Sequence, residues 1–376
     1  MRQAVLCWIV VFMLAVCSEP LPASEDAVRI ASIFALSGQT GLNNRYSVMG
    51  VRCGVESVNR EGGVLGKPIE LIEIDNLGTP IGSKKAAEKA VQIDVVAIVG
   101  SAWSSHTLAA APVAQRAGIP LITNTSTHPA VTEIGDYIFR VCFSDRFAGQ
   151  MIAHFVRNDL KAETAAIAQD ISSSYSMGLA EIFENQFRQE GGRIINRISY
   201  KQPIEHFDKI VAAIVQAHAD VLFIPGYDES ATIIRKARQQ GMKSIPVGGD
   251  GWNFDEFFRR AEGKASGAYF CAHYVLHSGM DRASRFESEC PHILQTQATV
   301  SDAALGYDAV RLLADAIRRA GSTDHKAVRD ALAATRDFEG STGRISFEEG
   351  SRDPKKPLAI MQIQGNKAVL VKWYFP

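Results

Sequence analysis

Short apolar runs alternate along most of the chain with longer segments in which apolar residues recur every three or four positions. The order is clearest between Val95 and Thr132. Val95 to Val99 is almost wholly apolar, which is typical of a parallel strand buried on both faces. His106 to Arg116 is alanine-rich and predicts a helix that ends at Gly118, and Ile119 to Ile122 predicts the next strand.

Each of these two strands is followed by a turn rich in hydroxyl side chains. Trp103, Ser104 and Ser105 follow the first strand, and residues 123–127 follow the second, ahead of Pro129. Open α/β sheets bind ligands at the carboxyl ends of their strands, and helix N-termini offer free N–H groups to an anion. The paired turns therefore predict a pocket for a small carboxylate. The alternative is that these hydroxyl groups are ordinary helix caps.

The same alternation extends over both halves of the chain. In the first half, further strands are predicted at Val28 to Leu36, Ile69 to Ile74 and Tyr137 to Phe143. After Asp145, strands are predicted at Thr164 to Gln169, Arg193 to Tyr200, Val221 to Pro225 and Ile245 to Gly248. Predicted helices separate them, so the fold class is α/β with a doubly wound parallel sheet in each half.

The last third of the chain predicts a return to both halves. Ala265 to His277 is expected to be one long strand, and Asp281 to Ala334 is expected to be helical. Late strands are predicted at Arg344 to Phe347, Leu358 to Gln364 and Ala368 to Trp373. We therefore expect two lobes joined by a multi-strand hinge. Lobe 1 comprises residues 27–145 plus 276–355, and lobe 2 comprises residues 146–275 plus 356–376.

The N-terminus has the pattern of a secretory signal. Arg2 precedes an uncharged apolar run from Ala4 to Cys17, and small and polar residues follow as far as Ser24. The run is short for a membrane-spanning helix. Residues 1–24 are therefore predicted to be a signal peptide that directs the chain to the periplasm. Lipoprotein anchoring through Cys17 is the less favoured alternative, because Val16 is large for the position before a modified cysteine.

Length and charge narrow the function classes. A chain of 376 residues, 46% of them hydrophobic, is long enough for two cores. The formal net charge of -1 gives no support for a nucleic-acid surface. Neither G-x-G-x-x-G nor G-x-x-x-x-G-K-[ST] occurs, so we expect no nucleotide cofactor, and no other cofactor is indicated.

Four cysteines follow the predicted signal peptide: Cys53, Cys142, Cys271 and Cys290. Export permits disulfides, and four cysteines allow three full pairings among which the sequence does not choose. Buried free thiols are the alternative. Cys271 with Cys290 is the first pairing to test, because only a short loop separates them.

Candidate ligand groups also follow strands of the second half. Tyr175, Tyr227 and Asp250 would oppose the hydroxyl turns across a cleft between the lobes. A free amino acid needs donors for its carboxylate and an anion for its ammonium. Ser104 and Thr127 would supply the donors, and Asp250 would supply the anion. Taken singly, the aspartate is better explained as a turn or cap residue and the tyrosines as half-buried packing, so the case rests on their joint placement.

Six segments, by their order and spacing, resemble a known family over nearly the whole mature chain. They are Ser37-Gly38, residues 59–66 (NREGGVLG), Trp103-Ser104-Ser105 with Thr127 placed 23 residues after Ser104, residues 116–120 (RAGIP), residues 237–241 (ARQQG) and residues 340–347. The chain resembles the type I periplasmic solute-binding proteins of ABC transporters, in particular the branched-chain amino acid (leucine/isoleucine/valine-binding) group.

The resemblance implies two lobes that close on a ligand without catalysis. It implies that Ser104, with Ser105 beside it, and Thr127 hold the α-carboxylate. It implies that the backbone carbonyl of Thr125 and the carboxylate of Asp250 meet the α-ammonium. Tyr175 and Tyr227 match aromatic positions of the second lobe.

Two positions depart from the family pattern. Trp103 stands where the best-known members have a disulfide cysteine, so their bridge to the Cys53 region cannot form here. Asn43 stands where they have a tryptophan against the ligand side chain. Both residues are counted as candidate ligand contacts, and both weaken the expectation that the ligand is leucine. A polar Asn43 hints at a more polar or larger ligand.

The predicted function is the capture of a small amino acid, branched-chain or related, for delivery to an ABC transporter permease. The protein is expected to be a monomer and not an enzyme. One alternative keeps the fold but binds an amide, urea or an aromatic carboxylate, and another is a sensory ligand-binding module. A third is a secreted hydrolase using Ser104 with His106, although no G-x-S-x-G elbow is present.

A cluster of cysteine and histidine residues raises the question of a metal. It comprises Cys271, His273, His277, Cys290 and His292, and alternation would place the first three on one strand face. Their separations fit no standard zinc site, so a solvated hinge face is the favoured interpretation and no metal is expected.

Overall fold

The computed structural model describes residues 27–277, 283–294 and 300–376. The predicted signal peptide, including Cys7 and Cys17, lies outside the described residues. So do parts of the region predicted to be helical between Asp281 and Ala334. Among the residues that the structure describes, no helix is both long and apolar enough to cross a bilayer.

The strands form two large sheets and a small hairpin. In chain order they are β1 Val28–Phe34, β2 Ile69–Asp75, β3 Ala97–Gly100, β4 Leu121–Thr123, β5 Ile138–Arg140, β6 Thr164–Asp170, β7 Arg193–Tyr200, β8 Val221–Phe223, β9 Ile245–Val247, β10 Tyr269–Ala272, β11 Phe338–Gly340, β12 Gly343–Ile345, β13 Leu358–Gln364 and β14 Lys367–Tyr374.

The helices connect these strands and cover both faces of the two sheets. They are α1 Gly38–Arg60, α2 Pro80–Gln92, α3 Ser104–Ala117, α4 Ala130–Glu133, α5 Asp145–His154, α6 Ser174–Gln189, α7 Phe207–Ala217, α8 Glu229–Gln239, α9 Asp255–Ala261, α10 Ala283–Glu289, α11 Val300–Ala320 and α12 His325–Ala333.

The sheet topology confirms the predicted α/β class. The first sheet has the order β2-β1-β3-β4-β5, and all of its pairings are parallel. The second has the order β14-β13-β10-β9-β8-β6-β7, in which β13 and β14 are antiparallel additions at one edge. The chain passes between the sheets three times, after β5, after β10 and after β12. The lobe boundaries given above stay a prediction at the level of single residues.

Close contact between α1 and α11 holds the returning chain against the first sheet. A Cβ atom added at Gly50 would lie 2.0 Å from the carbonyl oxygen of Ala303. A Cβ added at Gly306 would lie 2.7 Å from the carbonyl oxygen of Ser47. Further along both helices, Arg311 donates a hydrogen bond to the Ser57 hydroxyl. The two helices therefore run parallel, with glycines where their backbones meet.

The predicted long strand from Ala265 to His277 is wrong, because only Tyr269–Ala272 is a strand. Gly267 has φ 81° and a turn hydrogen bond joins Ala268 to Ala265, so the chain enters the sheet late. Beyond the strand, His277 has φ 54°, which no β-strand contains. Apolar residues alternate in the sequence beyond both ends of Tyr269–Ala272, so this pattern predicted a longer strand than the one that forms.

The first pairing chosen for test, Cys271 with Cys290, is also wrong. Cys290 is bonded to Cys53, and Cys142 and Cys271 are buried free thiols. Cys271 lies inside the second sheet in β10, whereas Cys290 follows α10 and packs with Tyr46 and Cys53 of α1. Tertiary packing, rather than closeness along the chain, decides the partner.

Peptide mapping without reduction should recover the Cys53 peptide linked to the Cys290 peptide. The bond closes a loop across a sequence separation of 237 residues. Breaking it should lower the free energy of unfolding by about 2–5 kcal/mol, because the unfolded chain gains entropy. Urea titration of the Cys53→Ala variant, with and without reductant, measures the change. A recovered Cys271–Cys290 peptide would contradict the assignment.

Gly50→Ala should destabilise the protein by about 1–3 kcal/mol, because the new methyl group meets the Ala303 carbonyl in a packed contact. Thermal or urea unfolding measures this effect. Glu56→Ala, at an exposed position of the same helix, is the matched control and should change the stability little. Equal stability of the two variants would show that α1 and α11 are not in contact at Gly50.

Candidate functional site

The first hydroxyl turn connects β3 to α3 and places Ser104 at the start of that helix. Ser104 is buried, and its Oγ accepts a hydrogen bond of 3.2 Å from the backbone N–H of His128. The N–H groups of His106 and Thr107 donate to the Trp103 carbonyl. Those of Ser104 and the half-buried Ser105 belong to the first turn, where a helix leaves its N–H groups without internal partners. The turn can therefore donate hydrogen bonds to an anion.

Most hydroxyl groups of the second turn hold the two turns together. Thr123 and Ser126 donate to the Ser101 carbonyl at 2.7 and 2.9 Å, and Thr125 donates to the Ala102 carbonyl at 2.9 Å. These three hydroxyl groups therefore join the two turns, and none of them caps the helix that follows. Thr127 differs, because its Oγ1 is buried and makes no hydrogen bond to any described residue.

A buried arginine fixes the backbone on both sides of Thr127. The guanidinium of Arg140 donates to the carbonyls of Ser126 and His128 at 3.0 and 2.8 Å. It also forms an ion pair of 2.7 Å with Asp353, which lies on the third passage between the sheets. Charge-assisted bonds of this kind hold the turn rigidly.

Asp250 lies at the carboxyl end of β9, in a single 3-10 turn, with both carboxylate oxygens engaged. The Tyr175 hydroxyl donates to Oδ1 at 2.9 Å, and His273 Nε2 lies 3.0 Å from Oδ2. The Gly251 N–H donates back to the Tyr175 hydroxyl. A Cβ at Gly249 would lie 2.2 Å from that hydroxyl, so the glycine permits the approach. The aspartate is thus a positioned anion and not a helix cap.

Aromatic rings join the two sides of the site. Trp103 stacks on Tyr227 with ring centroids 4.9 Å apart, and Tyr227 stacks on Tyr175 at 5.2 Å. His273 stacks on Phe143 at 3.6 Å. Trp103 follows the first sheet and the tyrosines follow the second, so the stack spans the cleft.

Asp145, which the sequence interpretation used only as a boundary, belongs to this site. It is the first residue of α5 and is fully buried, and neither carboxylate oxygen has a hydrogen-bond partner among the described residues. Thr127 lies beside it without reaching hydrogen-bonding geometry. Burial raises the pKa of Asp145 well above its ordinary value, the charge of Asp250 raises it further, and Arg140 opposes both effects. An aspartate two residues after the predicted strand Tyr137 to Phe143 was the available signal.

The centre of the site is electrically negative. Burial raises the pKa values of Tyr175, Tyr227 and Cys271 well above their ordinary values, and in each case the charge of Asp250 adds to the shift. Burial is the larger cause of each shift, and repulsion between Asp250 and a second negative charge adds to it. A positively charged ligand group would relieve this repulsion.

Asn43 bridges the two halves at the edge of the site. Its Nδ2 donates to Asp228 Oδ1 at 3.3 Å, and Asp228 forms an ion pair of 2.8 Å with Arg260. Nearby, the Tyr46 hydroxyl donates to Asp255 at 2.6 Å, and Arg45 pairs with the same carboxylate. A cavity of about 300 Å³ opens here, lined by Leu42, Asn43, Arg45, Tyr46, Phe254, Asp255, Glu256 and Arg259.

The geometry gives no support to the hydrolase alternative. His106 is buried, and burial lowers its pKa to about 4. Its Nδ1 faces the Asn76 amide at 3.4 Å, while Ser104 Oγ contacts the His128 N–H. The two side chains therefore do not form a nucleophile and base pair.

The cysteine and histidine residues that raised the question of a metal have separate partners in the structure. His273 contacts Asp250, Cys290 is bonded to Cys53, and His277 pairs with Glu287 in a turn. Among the residues that the structure describes, no group of three or more His, Cys, Asp or Glu side chains is placed to hold a metal ion.

Comparisons with known proteins agree with this architecture. The family model described as periplasmic binding protein matches residues 27–368. The Leu/Ile/Val-binding protein homolog 3 of Brucella melitensis is 25% identical over 330 residues, which cover 87% of this chain and 89% of that protein.

Solved structures show the same fold. The leucine binding protein LivK of Thermotoga maritima has a TM-score of 0.88 at 29% identity, covering 93% of this chain and 99% of that one. The branched-chain amino acid transporter substrate binding protein LivJ of Streptococcus pneumoniae, in complex with isoleucine, has a TM-score of 0.86 at 30% identity, covering 93% and 100%. The family is one of periplasmic solute-binding proteins. This chain belongs to it, as a type I member similar to the branched-chain amino acid-binding group.

Proposed function

We propose that the protein captures a free amino acid between its two lobes and delivers it to the membrane permease of an ABC transporter. The observation that supports this most is the pairing of unlike groups across one cleft. Free hydroxyl and N–H donors lie on one side, at Ser104 and Thr127, and buried carboxylates lie close by, at Asp145 and Asp250. A zwitterion has the complementary charges at the complementary ends.

The carboxylate end of the ligand would bind at the two hydroxyl turns. Ser104 and Ser105 offer N–H groups at the start of α3, where the helix dipole also favours an anion. Thr127 offers a hydroxyl group that is buried and otherwise unused. Arg140 holds the carbonyls on either side of Thr127, so the donor is positioned before the ligand arrives.

The ammonium end would bind between Asp250, Asp145 and the backbone carbonyl of Thr125. Asp250 is already oriented by Tyr175 and His273. Asp145 has no other described partner, so an ammonium would satisfy a carboxyl group that is otherwise buried at a cost. Trp103 and Tyr227 would cover the ligand from the two sides of the cleft.

Closure is a shift of population towards the form in which both lobes touch. The hydrogen bonds from Asn43 to Asp228 and from Tyr46 to Asp255 join the two halves of the protein. They would add to the contacts that the ligand itself makes with both lobes. The permease would then meet the closed form of a monomeric protein.

The alternatives that keep the fold but change the ligand are less well matched. An aromatic carboxylate or a neutral amide brings no cation to Asp145 and Asp250, and would leave the negative site uncompensated. A sensory role would use the same binding chemistry with a different membrane partner.

Asp250→Asn should weaken amino acid binding by about tenfold to a hundredfold, because a buried ammonium loses its charged partner. A thermal-shift panel of L-amino acids, acetamide, urea and benzoate identifies the ligand class. Calorimetry then measures the affinity of that ligand for the wild-type protein and for Asp250→Asn. Asp208→Asn, at a side chain that is 90% exposed on α7, is the control. Stabilisation by benzoate or acetamide alone, with no response to any amino acid, would overturn the proposal.

Binding should release protons from Asp145. Burial raises the pKa of Asp145 well above its ordinary value, and an ammonium placed beside it would lower that pKa again by favouring the carboxylate. Affinity should therefore fall as the pH falls, since protons compete with the ligand. Calorimetry at pH 7 in phosphate and in Tris buffer should give different apparent enthalpies, and Asp145→Asn should reduce the difference. Identical heats in both buffers would contradict this assignment.

A further inference from the structure

A third buried carboxyl group, Asp302, has no hydrogen-bond or ion-pair partner among the described residues. Asp302 lies in the first turn of α11 and is 7% exposed. An aspartate in the first turn of a helix usually contacts free N–H groups there. Asp302 does not, so capping does not account for it.

The packing of α1 on α11 places Asp302 at the same end of the helix pair as Asn43. Ser47 and Gly306 mark a close contact between the two parallel helices. Asn43 lies one turn before Ser47, and Asp302 lies one turn before Gly306. Asn43 reaches across the cleft to Asp228 of the second half, so this end of the helix pair faces the ligand cleft.

Asp302 is also near enough to Asp250 to be affected by its charge. Burial and the negative charge of Asp250 together raise the pKa of Asp302 to about 8. Arg140 and Arg260 on the two sides of the site are already engaged, since Arg140 pairs with Asp353 and Arg260 pairs with Asp228. One α-ammonium placed between Asp145 and Asp250 leaves the third carboxyl group unsatisfied.

We propose that the ligand's side chain carries a second cation, an ammonium or guanidinium group, and that Asp302 binds it. The solute class is therefore the basic amino acids, such as lysine, ornithine and arginine. This inference rests on the proposed function and adds the side-chain specificity of the same site. An aliphatic side chain would instead bury the Asp302 carboxyl group against apolar surface, at a cost in free energy.

Lysine and norleucine form the discriminating pair of probes, because norleucine is lysine without the side-chain ammonium. Calorimetry on the mature protein should show lysine binding at least about tenfold more tightly than norleucine, as expected for one buried charge-assisted bond. Asp302→Asn should reduce this preference to about twofold or less. Asp315→Asn, at a half-buried position further along the same helix where the aspartate pairs with Arg319, is the matched control and should keep the preference.

The outcomes separate the two proposals. Norleucine, leucine or alanine binding as tightly as lysine would overturn the role of Asp302 and leave amino acid capture intact. Failure of every amino acid to bind would overturn both. If Asp302→Asn does not fold, the preference of the wild-type protein for lysine over norleucine still decides the question, since the absence of that preference contradicts the inference.

Discussion

The buried carboxylate of Asp250 is the constraint around which the rest of the site is arranged. Tyr175 and His273 orient both of its oxygens, and its charge raises the pKa values of the groups packed around it. A charge taken out of water is tolerated only where hydrogen bonds or opposite charges compensate it. The described residues compensate Asp250 only in part, and its charge raises the pKa values of the nearby Asp145 and Asp302. In the proposed function, the cation of the ligand would supply the missing compensation.

The two hydroxyl turns on the opposite side of the site differ from Asp250, because they keep hydrogen-bond donors that the described residues do not use. The hydroxyl groups of Thr123, Thr125 and Ser126 donate hydrogen bonds to the carbonyls of the preceding turn. This network makes the two turns rigid and leaves Thr127 free beside Ser104. Arg140 forms an ion pair with Asp353 on the third passage between the sheets, and this pair holds the hydroxyl turns to the hinge.

The sequence predicted the fold, because the strands and the helices between them follow local patterns. Parallel strands with hydroxyl turns at their carboxyl ends are visible as apolar runs followed by serine and threonine. The limits of β10, the partner of Cys290 and the exposure of Asp302 depend on which surfaces pack together, and no local pattern records that. Asp145 was named only as a boundary, since burial without a partner is a tertiary property. The roles of the candidate ligand residues stay predictions.

The covalent bond between Cys53 and Cys290 has a topological consequence. All five parallel strands of the second sheet, and the first two passages between the sheets, lie between these cysteines along the chain. The parallel strands of the second sheet are thus enclosed in a covalent ring. A protease that cuts any of its surface loops in an oxidising compartment opens the ring without releasing a fragment. The nicked receptor keeps both walls of its cleft on one molecule.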